Sequence, residues 1–183
     1  MALTAADFWK WASTPEPPYL GPGSRPGVMD RRELVTRVDR FAAEKGLSSD
    51  GALRLRAATL LYHDHHDPAH DIVQDLSDAD GALIHAILHR REPDYWNAKY
   101  WFRRVDMHPV YLSLGRRLRD RPVAEGQEAL ARRLTLPGAF DPFAFVDACE
   151  QEERSADSAP VVLWLRSIQH SEFEELVAHL LAT

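Results

Sequence analysis

The sequence predicts an all-α protein, an irregular multi-helix bundle of short helices. Three observations carry this. Helix-start signals recur along the chain, apolar residues repeat at helical spacing, and the alternation of a half-buried strand is almost absent. Thr4-Ala-Ala-Asp7 opens the chain with the Asp form of a capping box. Residues 14–27 (TPEPPYLGPGSRPG) then hold proline and glycine at a density that sustains neither a helix nor a regular ladder. With Phe8, Trp9 and Trp11 just before it, residues 1–28 are expected to form an aromatic anchor followed by an extended segment crossing the helical body. A free linker is the competing reading.

Helices are expected over 31–45 and 51–64, where Leu34, Val38, Phe41 and Ala42, then Leu53, Ala57, Leu60 and Leu61, form apolar stripes. Asp67-Pro68 sets a capping side chain before a proline at the head of a helix over 68–76, and Ser77-Asp-Ala-Asp80 opens one over 78–91. Pro93 ends that helix and Asp94 caps the next, 95–106, where Ala98, Trp101 or Phe102, and Val105 repeat on one face. Residues 78–106 therefore read as a helical hairpin turning at Glu92–Asp94. Helices over 110–119 and 123–135 follow, then a loop at 136–141 (LPGAFD). Asp141-Pro142 starts a helix over 142–153. Helices over 159–169 and 171–181 close the chain, the last opened by Ser171-Glu-Phe-Glu174 and striped by Phe173, Leu176, Val177 and Leu180. The whole is expected to be one domain, 1–183.

Composition bounds the function. A chain of 183 residues, 45% apolar and 27% charged, can bury a sizeable core. A net charge of -6 argues against non-specific nucleic-acid binding, which needs a basic face. No apolar run approaches the roughly 20 residues of a membrane span, and MALTAADFWKW lacks the pattern of a secretory signal. Cys149 is the only cysteine, which excludes an internal disulfide and a thiolate-rich zinc site. Together these favour the cytoplasm.

The densest chemistry lies between residues 62 and 109. Six of nine histidines fall there before residue 90: His63, His65, His66, His70, His85 and His89, with Asp64, Asp67, Asp71, Asp80 and Glu92 among them. His85 and His89 are four apart on an expected helix and share one face, which Glu92 joins. Such a set offers two imidazoles and a carboxylate to one divalent ion (Zn, Mn or Ni), and His63, Asp64 or His70 from an adjacent helix completes the shell. His-Ala-Ile-Leu-His is not a metalloprotease signature, because Ala86 stands where the general base is required. The competing reading is that His85 and His89 are half-buried, hydrogen-bonded side chains.

Arg90, Arg91, Lys99, Arg103 and Arg104 form a local basic patch suited to a phosphate or carboxylate, or else solvated helix faces. Tyr95, Trp96, Tyr100, Trp101 and Phe102, interleaved with Arg90, Arg91, Arg103 and Arg104, offer a recognition face for a protein partner or small anion, with Trp96, Lys99 and Arg103 as its expected surface members. The candidate cleft thus comprises His63, Asp64, His70, His85, His89, Glu92, Arg90, Lys99 and Arg103.

Three resemblances attach to this segment. Asp94, Tyr95, Ala98 and Phe102 resemble the second half of a tetratricopeptide unit. No second copy stands at the roughly 34-residue period of an array, so peptide binding by a repeat surface does not follow. The block HAILHRREPDYWNAKYWFRRV, residues 85–105, resembles a family of small bacterial and fungal helical proteins without an assigned activity, which implies a helical cytoplasmic domain and no particular reaction. Ala57-Ala-Thr-Leu-Leu-Tyr-His-Asp64 resembles the dyad segment of HD-domain metal-dependent phosphohydrolases. That resemblance implies His63 and Asp64 as ligands, helped by His85, His89 or Asp80, with the basic patch on a phosphate. It departs where His65-His66-Asp67 follows the dyad and where no histidine precedes residue 63. The sequence thus leaves two functions: a helical binding domain for a small anionic ligand or a protein partner, and a divalent-metal-dependent hydrolase.

Overall fold

Four N–H groups at the start of each helix need acceptors, and the short polar side chains along this chain supply many of them. The computed structural model describes residues 3–135 and 138–183; residues 1–2 of the expected anchor and 136–137 of the expected loop lie outside them. Among the described residues there are ten helices and no strand. They are α1 (Ala5–Ala12), α2 (Arg31–Lys45), α3 (Ser49–Tyr62), α4 (His66–Val73), α5 (Ala79–Arg91), α6 (Tyr95–Val105), α7 (Pro109–Arg119), α8 (Glu128–Leu134), α9 (Pro142–Gln151) and α10 (Pro160–Leu180). Thr4 and Asp7 form the capping box of α1, and Asp30, Ser48, Asp78, Asp94 and Asp141 cap α2, α3, α5, α6 and α9.

Three expected boundaries change. The helices over 159–169 and 171–181 are one, because Ser171 is buried mid-helix and its hydroxyl donates to the Ser167 carbonyl one turn back. The helix over 123–135 shortens to α8. In α4, His65 takes the cap position and Asp67 lies inside the first turn.

Helix α5 is the axis of the fold. Every residue from Gly81 to Arg91 is buried, so it has no solvent face. Helices α3, α4 and α6 pack on it, with α5 and α6 joined in the hairpin turning at residues 92–94. Its apolar residues join one hydrophobic cluster that runs from Phe8 to Leu181.

The proline-rich segment is ordered by donors from α10 and by its own Arg25. Prolines bring carbonyls without N–H groups, and side chains answer them. Arg166 donates to Pro17 O at 2.7 Å, Gln169 to Tyr19 O at 2.9 Å, and Arg25 to Glu16 O at 3.1 Å. The Arg166 guanidinium lies 4.4 Å over the Tyr19 ring. Ahead of it, Phe8 rather than either tryptophan is the fully buried aromatic, held edge-on by Trp9, Trp11 and Phe41.

Phe8→Ala should therefore cost about 3–5 kcal/mol, the range for emptying a buried aromatic site. Urea unfolding checks this; a loss below about 1 kcal/mol would mean that α1 does not contribute to the core.

Candidate metal centre

Three helices and one turn build the centre. On α5 the i,i+4 spacing places the rings of His85 and His89 in a stack, 4.7 Å between centroids. His70, in the last turn of α4, meets them edge-on at 4.9 and 5.6 Å. One ligand-capable nitrogen from each of the three lies within 4.8 Å of the others. From α6, the Trp101 indole lies flat on the far face of His85, 3.9 Å between centroids. Asn97 Nδ2 donates to His89 Nε2 at 3.1 Å, and Glu92 Oε2 lies 3.2 Å from His89 Nδ1. The carboxylate selects the His89 tautomer protonated on Nδ1, so the Nε2 lone pair, which faces the Asn97 amide, is the one that an ion would take in place of that contact.

Electrostatics favour the neutral, ligating form. Burial pushes the pKa of His85 down to about 3, with His89 and His70 adding to the effect, and burial likewise lowers that of His89. Desolvation pushes the Glu92 carboxyl up. His85, only 4% exposed, has its Nδ1 buried with no hydrogen-bond partner among the described residues. A buried polar atom in that position calls for an acceptor, a donor or an ion.

The other residues of the sequence-derived cleft go elsewhere. His63 uses both nitrogens: Nδ1 accepts from Met29 N at 3.1 Å and Nε2 pairs with Ala12 O at 2.9 Å. Asp64, in the left-handed region at φ 64°, accepts from Arg25 at 2.6 Å and Arg91 at 2.7 Å through one oxygen. Neither belongs to the group of imidazoles whose nitrogens come together, which is His70, His85 and His89 rather than the expected His63, Asp64, His85 and His89. Arg90 is buried on Glu172 and Gln169, Lys99 reaches Asp147 and Glu150 of α9, and exposed Arg103 lines a separate groove with Met107 and Phe143. The expected basic patch disperses.

A second cluster escaped the sequence reading. Asp80 Oδ1 lies 2.8 Å from His108 Nε2 and 2.9 Å from His179 Nε2, on the wall of a cleft of about 610 Å³ that Arg54 also lines. These residues stand 28 and 99 positions apart, and no spacing rule links them. The two clusters differ in chemistry. His108 Nδ1 accepts from Val110 N, at the cap of α7, so its Nε2 carries the proton and donates to Asp80. That nitrogen is spent. Desolvation alone would raise the Asp80 carboxyl, but the two imidazole donors outweigh it and hold the pKa far below the usual carboxylate range. This is a hydrogen-bonded joint between α5, α7 and α10. A groove of about 740 Å³ between α1 and α2 contains no histidine.

Comparison with family models, with curated proteins and with solved structures finds no match to this chain.

Burial also pushes His63 and His66 down to about 4 from the ordinary 6.5. The unfolded chain therefore takes up protons near pH 6.5, whereas the folded chain resists them until about pH 4. Stability from these groups is present above pH 6.5 and is lost as the pH falls through that window, with a slope of up to about 1.4 kcal/mol per pH unit per histidine. Unfolding free energies between pH 7.5 and 4.5 test this. His63→Asn should lower stability at pH 7.5 and flatten the slope; an unchanged slope would remove His63 from the account.

Proposed function

We propose that this protein binds a divalent transition metal through His70, His85 and His89 and uses it for hydrolysis. One observation carries the reading. Three imidazoles, two of them buried, converge within 4.8 Å, and one keeps a buried nitrogen that no group among the described residues satisfies. Three imidazole donors are the set that zinc takes in catalytic sites with an open fourth position. Nickel suits the same donors, whereas manganese prefers oxygen. When bound, such an ion lowers the pKa of its water toward neutrality.

The neighbouring residues support this use. Glu92 orients His89 and, with its carboxyl raised by desolvation, moves toward the range in which a carboxylate acts as a general base. Glu92 thereby fixes the His89 tautomer, the Asn97 amide stands at the Nε2 position that an ion would take, and Trp101 covers one face of His85. Cys149 takes no part, since burial pushes its thiol up to about 12. No helix among the described residues is long and apolar enough to cross a membrane. The single cysteine fits a reducing, cytoplasmic setting. A helical binding domain without catalysis is the second reading, supported by Trp96, which is 76% exposed beside Tyr100.

Zinc added to the chelator-stripped protein at about a hundredfold over Kd should stabilise it by about 2.7 kcal/mol, or about 5–10 °C in Tm. His70→Ala, His85→Ala and His89→Ala should each abolish the gain, whereas His63→Asn should keep it. A gain that survives in His85→Ala/His89→Ala would overturn the centre. Zinc-dependent hydrolysis of 4-nitrophenyl acetate then separates the two readings: zinc binding without any such rate leaves a binding domain.

A further inference from the structure

Seven large hydrophobic side chains are exposed among the described residues, and three of them surround one groove. Met107 (71%), Leu112 (46%) and Phe143 (36%) form the rim of a concavity of about 540 Å³ between α6, α7 and the start of α9. Single exposed apolar side chains are ordinary, but three around one concavity mark a place that an apolar ligand covers. The floor is aromatic and buried. It consists of Phe102, Tyr111 and Phe140, with Phe102 edge-on to Phe143 at 6.3 Å. The volume lies within the range of small-molecule sites.

The backbone fixes the walls in advance. Phe140 N donates to Tyr111 O at 2.8 Å, and α7 approaches residues 139–140 so closely that a Cβ on Gly115 would lie 2.7 Å from Ala139 C and Phe140 N. On the opposite side Asp106 takes φ 56° and ψ -145°, a conformation that a residue other than glycine keeps only when its surroundings impose it. The next residue is the exposed Met107 of the rim.

Charge then selects among apolar ligands. Arg103 lines the groove, and the Arg119 guanidinium lies 3.6 Å from the Cβ position of Gly138, which lines it too. Both arginines are exposed and have no ion-pair partner among the described residues, whereas Arg117 is taken by Glu174 and Glu175. Leu112, Arg116 and Arg119 follow at i, i+4 and i+7 along α7, so the apolar rim leads into exposed guanidiniums. Of the two carboxylates on the wall, Asp141 accepts from Phe143 N and Ala144 N at 2.9 and 3.0 Å as the cap of α9, which leaves Asp106. A single guanidinium fork matches a carboxylate, and Asp106 opposes a doubly charged head more than a singly charged one.

We infer that this groove binds an apolar carboxylate, a fatty or aryl-alkyl acid. Its body lies on Phe102, Phe140 and Phe143, its head pairs with Arg103, and Arg119 adds positive field. None of these residues belongs to the three-histidine centre, so the site stands apart from the hydrolytic reading and does not depend on it.

Calorimetric titration of the chelator-stripped protein, which offers no metal to a carboxylate, tests this with decanoate, decyltrimethylammonium and acetate. Decanoate should bind saturably and at least about tenfold more tightly than either of the others. Arg103→Gln and Leu112→Glu should each weaken decanoate about three- to tenfold at unchanged Tm, because both side chains are exposed. Trp96→Ala, which removes an exposed ring outside the groove, should leave it unchanged. No saturable decanoate binding, equal or tighter binding of the cation or of acetate, or the same affinity in both groove variants would each overturn the inference.

Discussion

Two adjacent guanidiniums at the end of a helix with no solvent face must both find anions and carbonyls, and the chain around α5 is arranged to provide them. Arg90 and Arg91 leave the helix about 100° apart. Arg90 turns to Glu172 and Gln169 of α10 and lies 4.5 Å over the Phe145 ring of α9. Arg91 turns the other way, to Asp64, to the Leu61 carbonyl at the end of α3, and to Tyr19 in the proline-rich segment. Burying a charge without partners costs several kcal/mol, so these contacts are obligatory once α5 is central. They fix α3, α9, α10 and the N-terminal segment to one axis. Asp64 serves Arg25 as well, and Arg25 in turn holds the Tyr62 carbonyl at 2.7 Å. The free carbonyls at the end of α3 are thus answered by arginines from two distant segments.

The candidate centre occupies the remaining face of the same helix. With two faces given to arginine networks, the His85–His89 face meets α4 and α6, which contribute His70, Asn97 and Trp101. The commitments that stabilise the fold also withdraw Arg90, Arg91 and Lys99 from the site, while exposed Arg104 stays over the Tyr100 and Trp101 rings. A fully buried helix is a suitable platform for such a group, because side chains locked by packing on all sides hold ligand atoms in place without a metal to gather them.

Much of the fold was legible in the sequence. Capping residues and stripes are local properties, so the all-α class, the stripe of α2 and the hairpin of α5 and α6 followed from spacing alone. The i,i+4 geometry likewise paired His85 with His89 before any tertiary information. Local signals also misled. Ser171-Glu-Phe-Glu174 has the form of a helix start, yet packing carried α10 through it because the Ser171 hydroxyl could be satisfied within the helix.

The rest was decided by tertiary contacts alone. His63 and Asp64 look like ligands in a list of residues, but their partners come from Ala12, Met29, Arg25 and Arg91, as many as 51 positions away. The five basic residues at 90–104 form a patch in the sequence and point in different directions in the molecule. Helical phase spreads neighbouring residues around an axis, and the sequence does not show which faces of that axis are buried. The sequence determined that this is a helical protein with a histidine pair on its central hairpin. Only the folded chain decided which third imidazole joins the pair and which charges remain beside it, because both depend on where distant segments find partners for buried polar groups.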